Sequence, residues 1–238
     1  MHFHDWFIAF SAFVSEILGT LSGFGSSTFF VPISSLFEEF KLVLAITSIL
    51  HCFGNVSKIY LFRKEFNLKA FLPYALPFVL MTGIGALLTA YLTVNWLEKA
   101  LGVFLVIFST VTFFSKDSPR KISKASSASL LRLSGFLTGF VGTGGAIRGI
   151  VLSTMSLPKN TFVALSAFID FGGDFLRAGI YIKNGFMDWS QWFYIPMMMG
   201  AAFLGSLVGK RILNRINQKY FEKIVCFFVF VSGIAMLF

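Results

Sequence analysis

The chain has 238 residues, 56% of them hydrophobic, a formal net charge of +9 and a mean hydropathy of +0.78. Composition this apolar, with charges clustered between long apolar runs, excludes an ordinary soluble domain and indicates an integral membrane protein. The runs do not alternate as barrel strands do, and cytoplasmic loops facing anionic lipid account for the positive charge without nucleic-acid binding.

Apolar segments follow one another along the chain in two sets of five. The first set lies at about 5 to 21, 26 to 37, 40 to 62, 70 to 92 and 97 to 115, and the second at about 129 to 141, 145 to 157, 160 to 183, 189 to 212 and 220 to 238. They predict an all-α membrane protein with about 8 to 10 membrane helices. Residues 1–115 form the first predicted repeat, 116–128 a cytoplasmic linker and 129–238 the second repeat.

The second half repeats the first weakly but in order. When the two halves are aligned with one constant offset, three positions of the first half match counterparts in the second. They are Asn55 with Asp174, Lys58 with Arg177 and Pro77 with Pro196. After a short insertion, Leu97-Glu98-Lys99 lies over Phe221-Glu222-Lys223. The ordered matches predict a duplication in which each repeat contains a glycine-broken helix pair, short or re-entrant, and three long transmembrane helices.

Each repeat is interrupted by a glycine-rich break after its first segment. Ser22-Gly23-Phe24-Gly25-Ser26-Ser27-Thr28 matches Thr138-Gly139-Phe140 followed by Gly142-Thr143-Gly144-Gly145. Helices that start at such breaks leave amide groups without intrahelical partners, and these groups together with the helix dipole attract anions. Because unpaired backbone at membrane depth needs protein or a water-filled cavity around it, we expect the two breaks to face each other. The alternative is that these glycines only pack helices together, which is our interpretation of Gly205 and Gly209.

Lys58, Arg148 and Arg177 are basic residues within apolar segments that the predicted loops do not account for. Arg148, one turn past the second break, could hold two oxygens of an oxyanion in its planar fork, or it could extend to the membrane interface. Arg177 shares a helix face with Asp170 and Asp174, which favours a structural salt bridge. Lys58 lies near a predicted cytoplasmic helix end and could simply reach the interface.

The predicted substrate-binding set collects the breaks and the polar residues of the third segments. It consists of Gly25, Ser26, Ser27, Thr28, Gly142, Thr143, Gly144, Gly145, Arg148, Asn55, Asp174 and Arg177. Glu16 and Asp170 are candidate proton carriers if transport is coupled to protons. His51 lacks the other ligands of a metal site and is interpreted as a packing residue, so we predict no metal, no cofactor and no catalytic residue.

The distribution of Lys and Arg decides between two topologies, because basic loops stay in the cytoplasm. If each broken pair crossed the membrane once as a bent helix, the basic residues would divide almost evenly between its two sides. If each pair returns to its own side, as a re-entrant hairpin or as two short crossings, the second repeat is inverted and both termini lie outside the cytoplasm. Only Lys41, Lys99 and Lys183 then face the outside, and this imbalance predicts the second topology, with an inverted second repeat and both termini outside the cytoplasm. The residues on the cytoplasmic face are Arg63, Lys64, Lys69, Lys116, Arg120, Lys121, Lys124, Lys159, Lys210, Arg211, Arg215 and Lys219.

Inverted repeats with broken helices are the recurrent architecture of secondary transporters. With its paired glycine breaks, with Val31-Pro32 after the first, and with Pro77 and Pro196, the chain resembles the TauE/SafE family of sulfite exporters. The resemblance implies transport of a sulfur-containing oxyanion such as sulfite, a sulfonate or thiosulfate across the inner membrane. Serines in the first break, where the family often has further glycines, and Gly149 opposite Pro32 leave the substrate open.

Other function classes remain as alternatives. A passive anion channel could be built from the same parts, and the carried anion could be another small organic anion. A membrane-embedded enzyme is disfavoured because no Ser-His-Asp or His-Glu-x-x-His pattern is present. The expected partners are the small anion and the lipid bilayer, while the coupling ion and a homodimer are left open.

Overall fold

The computed structural model describes residues 3–22, 25–65, 67–114, 124–155, 157–213, 230–231, 233–234 and 236–237. These residues form nine α-helices and two short 3-10 helices, without a strand, which confirms the predicted all-α class. The helices are α1 Phe3–Ser22, α2 Ser27–Ser34, α3 Phe40–Leu61, α4 Leu68–Ala90, α5 Val94–Phe114, α6 Lys124–Phe140, α7 Gly145–Ser153, α8 Lys159–Lys183 and α9 Tyr194–Leu213. The 3-10 helices are Arg63–Glu65 and Trp189–Gln191.

Each of the nine apolar segments predicted between residues 5 and 212 overlaps one of these α-helices over most of its length. The tenth, 220 to 238, lies mostly outside the described residues. The predicted linker 116–128 is helical from Lys124 onward, because α6 begins there, and its remainder is also outside the described residues.

Four stretches of the described chain are long and apolar enough to cross a membrane: Phe40–Leu61, Phe71–Ala90, Val94–Val111 and Trp189–Leu213. The 25-residue α8 has the length but carries ionisable side chains, and its Asp170, Asp174 and Arg177 are buried. In contrast, α2 and α7 have only eight and nine residues. At a rise of about 1.5 Å per residue, each spans less than half of a hydrocarbon core of about 30 Å.

The first broken pair is an antiparallel hairpin. Just after the break, the Ser26 hydroxyl donates to Glu16 of α1 at 2.7 Å. Past the end of α2, Glu38 lies 3.0 Å from His4 at the beginning of α1. The chain therefore turns at the break and returns along α1, which excludes a single bent helix through this pair.

Side-chain contacts identify the two ends of the helix bundle. At one end, which we call the basic end, Lys210 donates to the Leu61 carbonyl at 2.7 Å and Thr161 donates to Glu65 at 3.0 Å. At the other, which we call the Tyr194 end, the Tyr194 hydroxyl donates to Asp5 and Glu38 at 3.1 and 2.6 Å. The first hairpin opens at the Tyr194 end.

The second broken pair opens at the basic end. Its α7 leads into α8, which begins at the basic end near Thr161. Its α6 runs parallel to α4, because Gly135 lies against Phe78 at one point and the Thr89 hydroxyl reaches the Phe140 carbonyl further along. Since α4 also begins at the basic end, the two hairpins enter the bundle from opposite ends.

Small residues let neighbouring helices approach closely. A Cβ on Gly139 of α6 would collide with the backbone of Thr82 and Ala86 in α4. A Cβ on Gly205 of α9 would lie 2.9 Å from the Phe13 carbonyl, and one on Gly209 would lie 2.7 Å from Thr20. The packing role predicted for Gly205 and Gly209 is therefore confirmed.

We expect Gly139→Ala to destabilise the protein, because the added methyl meets backbone that cannot move aside without separating α4 from α6. Overpacking of this kind costs about 1 to 3 kcal/mol, so thermal unfolding in detergent should begin several degrees lower. Gly200→Ala is the matched control, since its Cβ would meet nothing within 4 Å. Equal melting of the two variants would contradict the close α4–α6 packing.

Candidate functional site

The two glycine breaks meet inside the bundle. The Thr28 and Thr143 hydroxyls, one from each break, lie 3.1 Å apart. Gly25 and Gly142, which the internal repeat pairs with each other, adopt positive φ angles of 86° and 82°. Residues with a side chain rarely adopt this backbone conformation. The expectation that the breaks face each other is confirmed.

Arg148 of α7 is buried between the breaks and does not reach the membrane interface, so the interfacial alternative is wrong. Its side chain is held by α8, because Nε donates to the Ser166 hydroxyl at 3.0 Å and Nη1 pairs with Asp170. A Cβ on Gly25 would lie 3.8 Å from Nη2. The guanidinium of the second half therefore lies beside the break of the first.

Asp174 of α8 is fully buried and joins three side chains. One of its oxygens accepts from Arg177 Nε at 2.8 Å, and the other accepts from Asn55 Nδ2 at 2.7 Å and lies 3.4 Å from His51 Nδ1. Arg177 Nη1 in turn donates to the carbonyls of Thr138 and Gly142, at 3.1 and 3.3 Å. Arg177 is thus the structural ion-pair residue that the sequence favoured, and it also satisfies carbonyls where α6 ends.

His51 of α3 is part of this cluster, so its interpretation as a mere packing residue is wrong. Its Nε2 accepts a hydrogen bond of 3.1 Å from the Ser27 amide, the first residue of α2. The sequence contained a signal for it, because the offset that pairs Asn55 with Asp174 also pairs His51 with Asp170. Both residues of that pair contact a residue of one of the short helices α2 and α7.

Glu16 and Lys58 form a second buried ion pair beside the first break. Lys58 Nζ lies 2.7 Å from Glu16 Oε1, and both side chains are buried, so the interfacial alternative considered for Lys58 is wrong. Ser206 of α9 donates to the same oxygen at 2.9 Å, and Ser26 donates to the other. The pair therefore ties α1, α3 and α9 to the break.

A cavity of about 20 Å³ lies between these side chains, room for about one water molecule. Of the predicted site residues, Gly25, Asn55 and Arg148 line it. The other lining residues lie outside the predicted substrate-binding set, although Asp170 is a candidate proton carrier. They are Gly19, Thr20, His51, Lys58, Val163, Ser166, Ala167 and Asp170.

The other predicted residues are not among those that line the cavity. Ser26, Ser27, Thr28 and Thr143 form the contacts described above, and Asp174 and Arg177 pair with each other. Gly142 packs against Leu44, a Cβ on Gly144 would collide with the Ser134 carbonyl, and Gly145 begins α7.

Cations and carboxylates in the cluster are equal in number. Lys58 pairs with Glu16, Arg148 with Asp170 and Arg177 with Asp174, while His51 lies among them. Pairing is required here because an uncompensated charge in a low-dielectric interior is costly.

Potential ligand atoms of His51, Asp170 and Asp174 lie within 4.8 Å of one another. A metal ion there would also face the guanidinium groups of Arg148 and Arg177, which makes this a poor cation site. The His51–Asp174 pair resembles the base and orienting acid of a hydrolase, yet a backbone amide occupies the position at Nε2 where a nucleophile would be needed.

A family model described as Sulfite exporter TauE/SafE matches residues 8–236, nearly the whole chain. No curated protein and no solved structure matches the chain.

We expect Lys58→Met to destabilise the protein strongly, because it leaves the Glu16 carboxylate buried without its cation. Breaking a buried pair in this way costs about 3 to 5 kcal/mol. The double variant Lys58→Met with Glu16→Gln should recover most of the loss, since the neutral amide needs no cation, its oxygen can accept from one of the Ser26 and Ser206 hydroxyls, and its NH2 can donate to the other. Thermal unfolding in detergent tests this, and a double variant no more stable than the single one would show that the pair contributes little.

Proposed function

The chain belongs to the sulfite exporter TauE/SafE family, and on this premise we propose that it is a secondary transporter for a small sulfur-containing oxyanion of the sulfite, sulfonate or thiosulfate class. The observation that carries the proposal is the buried Arg148 guanidinium, which lines a small cavity beside the first glycine break. A planar guanidinium fork fits two oxygens of an oxyanion, and the start of α2 adds the positive end of a helix dipole.

Asp170 is the group with which the substrate competes. Its carboxylate pairs with Nη1 of Arg148. Like the anion to be bound, this carboxylate presents two oxygens bonded to one central atom. Binding therefore requires Asp170 to yield part of the guanidinium to the substrate. A sulfur oxyanion is also larger than one water molecule, so the cavity walls must move apart for it to enter and leave.

We further propose that the bundle consists of two inverted repeats that move relative to each other to give alternating access. Three observations support this arrangement. The broken hairpins open at opposite ends, Gly25 and Gly142 share one backbone conformation, and Asn55 bonds directly to its repeat counterpart Asp174. Contact between equivalent residues is expected near a pseudo-two-fold axis, and transporters of this architecture bind substrate at such an interface.

The basic end is proposed to face the cytoplasm, with both termini on the other side of the cell inner (plasma) membrane. Arg63, Lys64, Lys159 and Lys210 belong to elements that begin or end there, whereas Lys41 lies over the Phe186 ring at the Tyr194 end. The positive-inside rule then gives the orientation.

Proteoliposomes test the activity. Purified protein is first screened for binding of sulfite, thiosulfate, methanesulfonate, sulfate and small carboxylates, and uptake of the anion that binds is then measured against its own gradient. A proton-coupled carrier accumulates the anion, whereas a passive channel only equilibrates it. If the protein prefers a carboxylate, the proposed substrate class is wrong, but the proposed transporter function is not contradicted.

In the same assay, Arg148→Ala should weaken anion binding by at least about tenfold, because charge-assisted hydrogen bonds to the anion are lost. Arg148→Lys, which keeps the charge opposite Asp170 but loses the fork, should be intermediate and checks that folding is retained. Arg132→Ala, on an exposed position of α6, is the matched control. Unchanged affinity in Arg148→Ala would remove Arg148 from the site.

Orientation is tested by single cysteines in a variant lacking Cys52 and Cys226. Cysteines replacing the exposed Lys64 and Lys159 should react with a membrane-impermeant reagent only from the cytoplasmic side. Cysteines replacing Glu39 and Lys183, near the Tyr194 end, should react only from outside. The reverse pattern would invert the assigned orientation, and a mixed pattern would contradict the hairpins.

A further inference from the structure

His51 presents its two ring nitrogens to different groups. Nε2 accepts a hydrogen bond of 3.1 Å from the Ser27 amide. Because an amide N–H can only donate, the Nε2 atom carries no proton in the observed arrangement. The ring therefore blocks the first amide of α2, one of the groups that would otherwise be available to an anion. His51 is buried and lines the cavity.

The other ring nitrogen is buried without a hydrogen bond to any described residue, yet it lies 3.4 Å from Asp174 Oδ2. Asp170 also has an oxygen within 4.8 Å of the ring. A positive charge on His51 would thus face two carboxylates, and its Nδ1–H would gain a strong acceptor through a small rotation.

The charge balance of the buried cluster favours a proton on His51 when an anion is bound. The cluster without substrate has three cations and three carboxylates, which are paired with each other. A monoanion bound at Arg148 adds one uncompensated negative charge to a buried site, which is costly. One proton on His51 restores the balance.

We propose that His51 is the binding site of the proton that accompanies the anion, an inference that rests on the proposed function and names its coupling ion. The Nε2 lone pair takes up a proton from solvent when the anion binds. The resulting imidazolium can no longer accept the Ser27 amide, so Nε2–H and the Ser27 N–H both become donors for the anion. Nδ1–H then pairs with Asp174.

The helices packed around His51 carry several buried charged groups, while α2 itself contributes no acidic or basic side chain. Of the other acids, Glu16 is held by Lys58, Ser26 and Ser206 and is not among the residues that line the cavity. Asp170 lines it, but a proton on Asp170 would leave the Ser27 amide blocked. The charged groups are Lys58 on α3, Glu16 on α1, Arg148 on α7, and Asp170, Asp174 and Arg177 on α8.

Proton uptake on anion binding tests the proposal. Calorimetric titration of the full-length protein with methanesulfonate, a monoanion that takes up no proton itself near neutral pH, is repeated in buffers of different ionisation enthalpy and gives the number of protons bound per anion. We expect the native protein to take up about one proton per anion. Over the pH range in which His51 is deprotonated in the free protein, the affinity should then fall about tenfold for each unit by which the pH rises. His51→Gln, which can accept the Ser27 amide but cannot be protonated, should bind the anion more weakly with uptake near zero and little pH dependence.

His4→Gln is the matched control, since His4 lies at the Tyr194 end with 43% of its side chain exposed, and it should leave proton uptake unchanged. If His51→Gln does not fold, the native protein alone decides, because no uptake would overturn the proposal. Uptake that persists in a folded His51→Gln variant also overturns it and assigns the proton to Asp170. Binding that survives Arg148→Ala, or no anion binding at all, overturns the proposed function instead.

Discussion

Mutual neutralisation of buried charge is the constraint on which the rest of this bundle depends. Three cations and three carboxylates lie among apolar helices, and each finds its partner within the protein. Because an unpaired charge is costly in such a medium, the helices that carry these groups must lie together. The pairs connect α1 with α3 and α7 with α8, and their hydrogen bonds extend to α9 and to both glycine breaks.

Glycine makes this arrangement sterically possible. At Gly25 and Gly142 the chain reverses with a backbone conformation that other residues rarely adopt, so a short helix can return beside a long one. Where Gly139 and Gly205 face neighbouring helices, the absence of a Cβ allows backbone to approach backbone. The turns bring α2 and α7 together at their starts, and the close packing fixes the surrounding helices, so the cavity forms where the two halves meet.

Some residues of the candidate site are recognisable in the sequence and others are not, and the difference has a physical cause. The breaks and Arg148 are recognisable from local features, a glycine cluster and a charge inside an apolar run. His51 and Lys58 were misjudged because their roles depend on Ser27 and Glu16, which belong to other helices. Hydropathy and spacing describe one helix at a time, whereas a hydrogen bond across helices depends on their relative rotation and depth.

By itself, the sequence determined the all-α class, the places where nine helices lie, the two breaks and the family resemblance, since these follow from apolar length and local composition. Only the tertiary structure decided that Arg148 faces the break of the other half and that Asp170 holds the guanidinium an anion would need. These facts join residues far apart in the chain. Their proximity arises from helix packing, and no single segment encodes it.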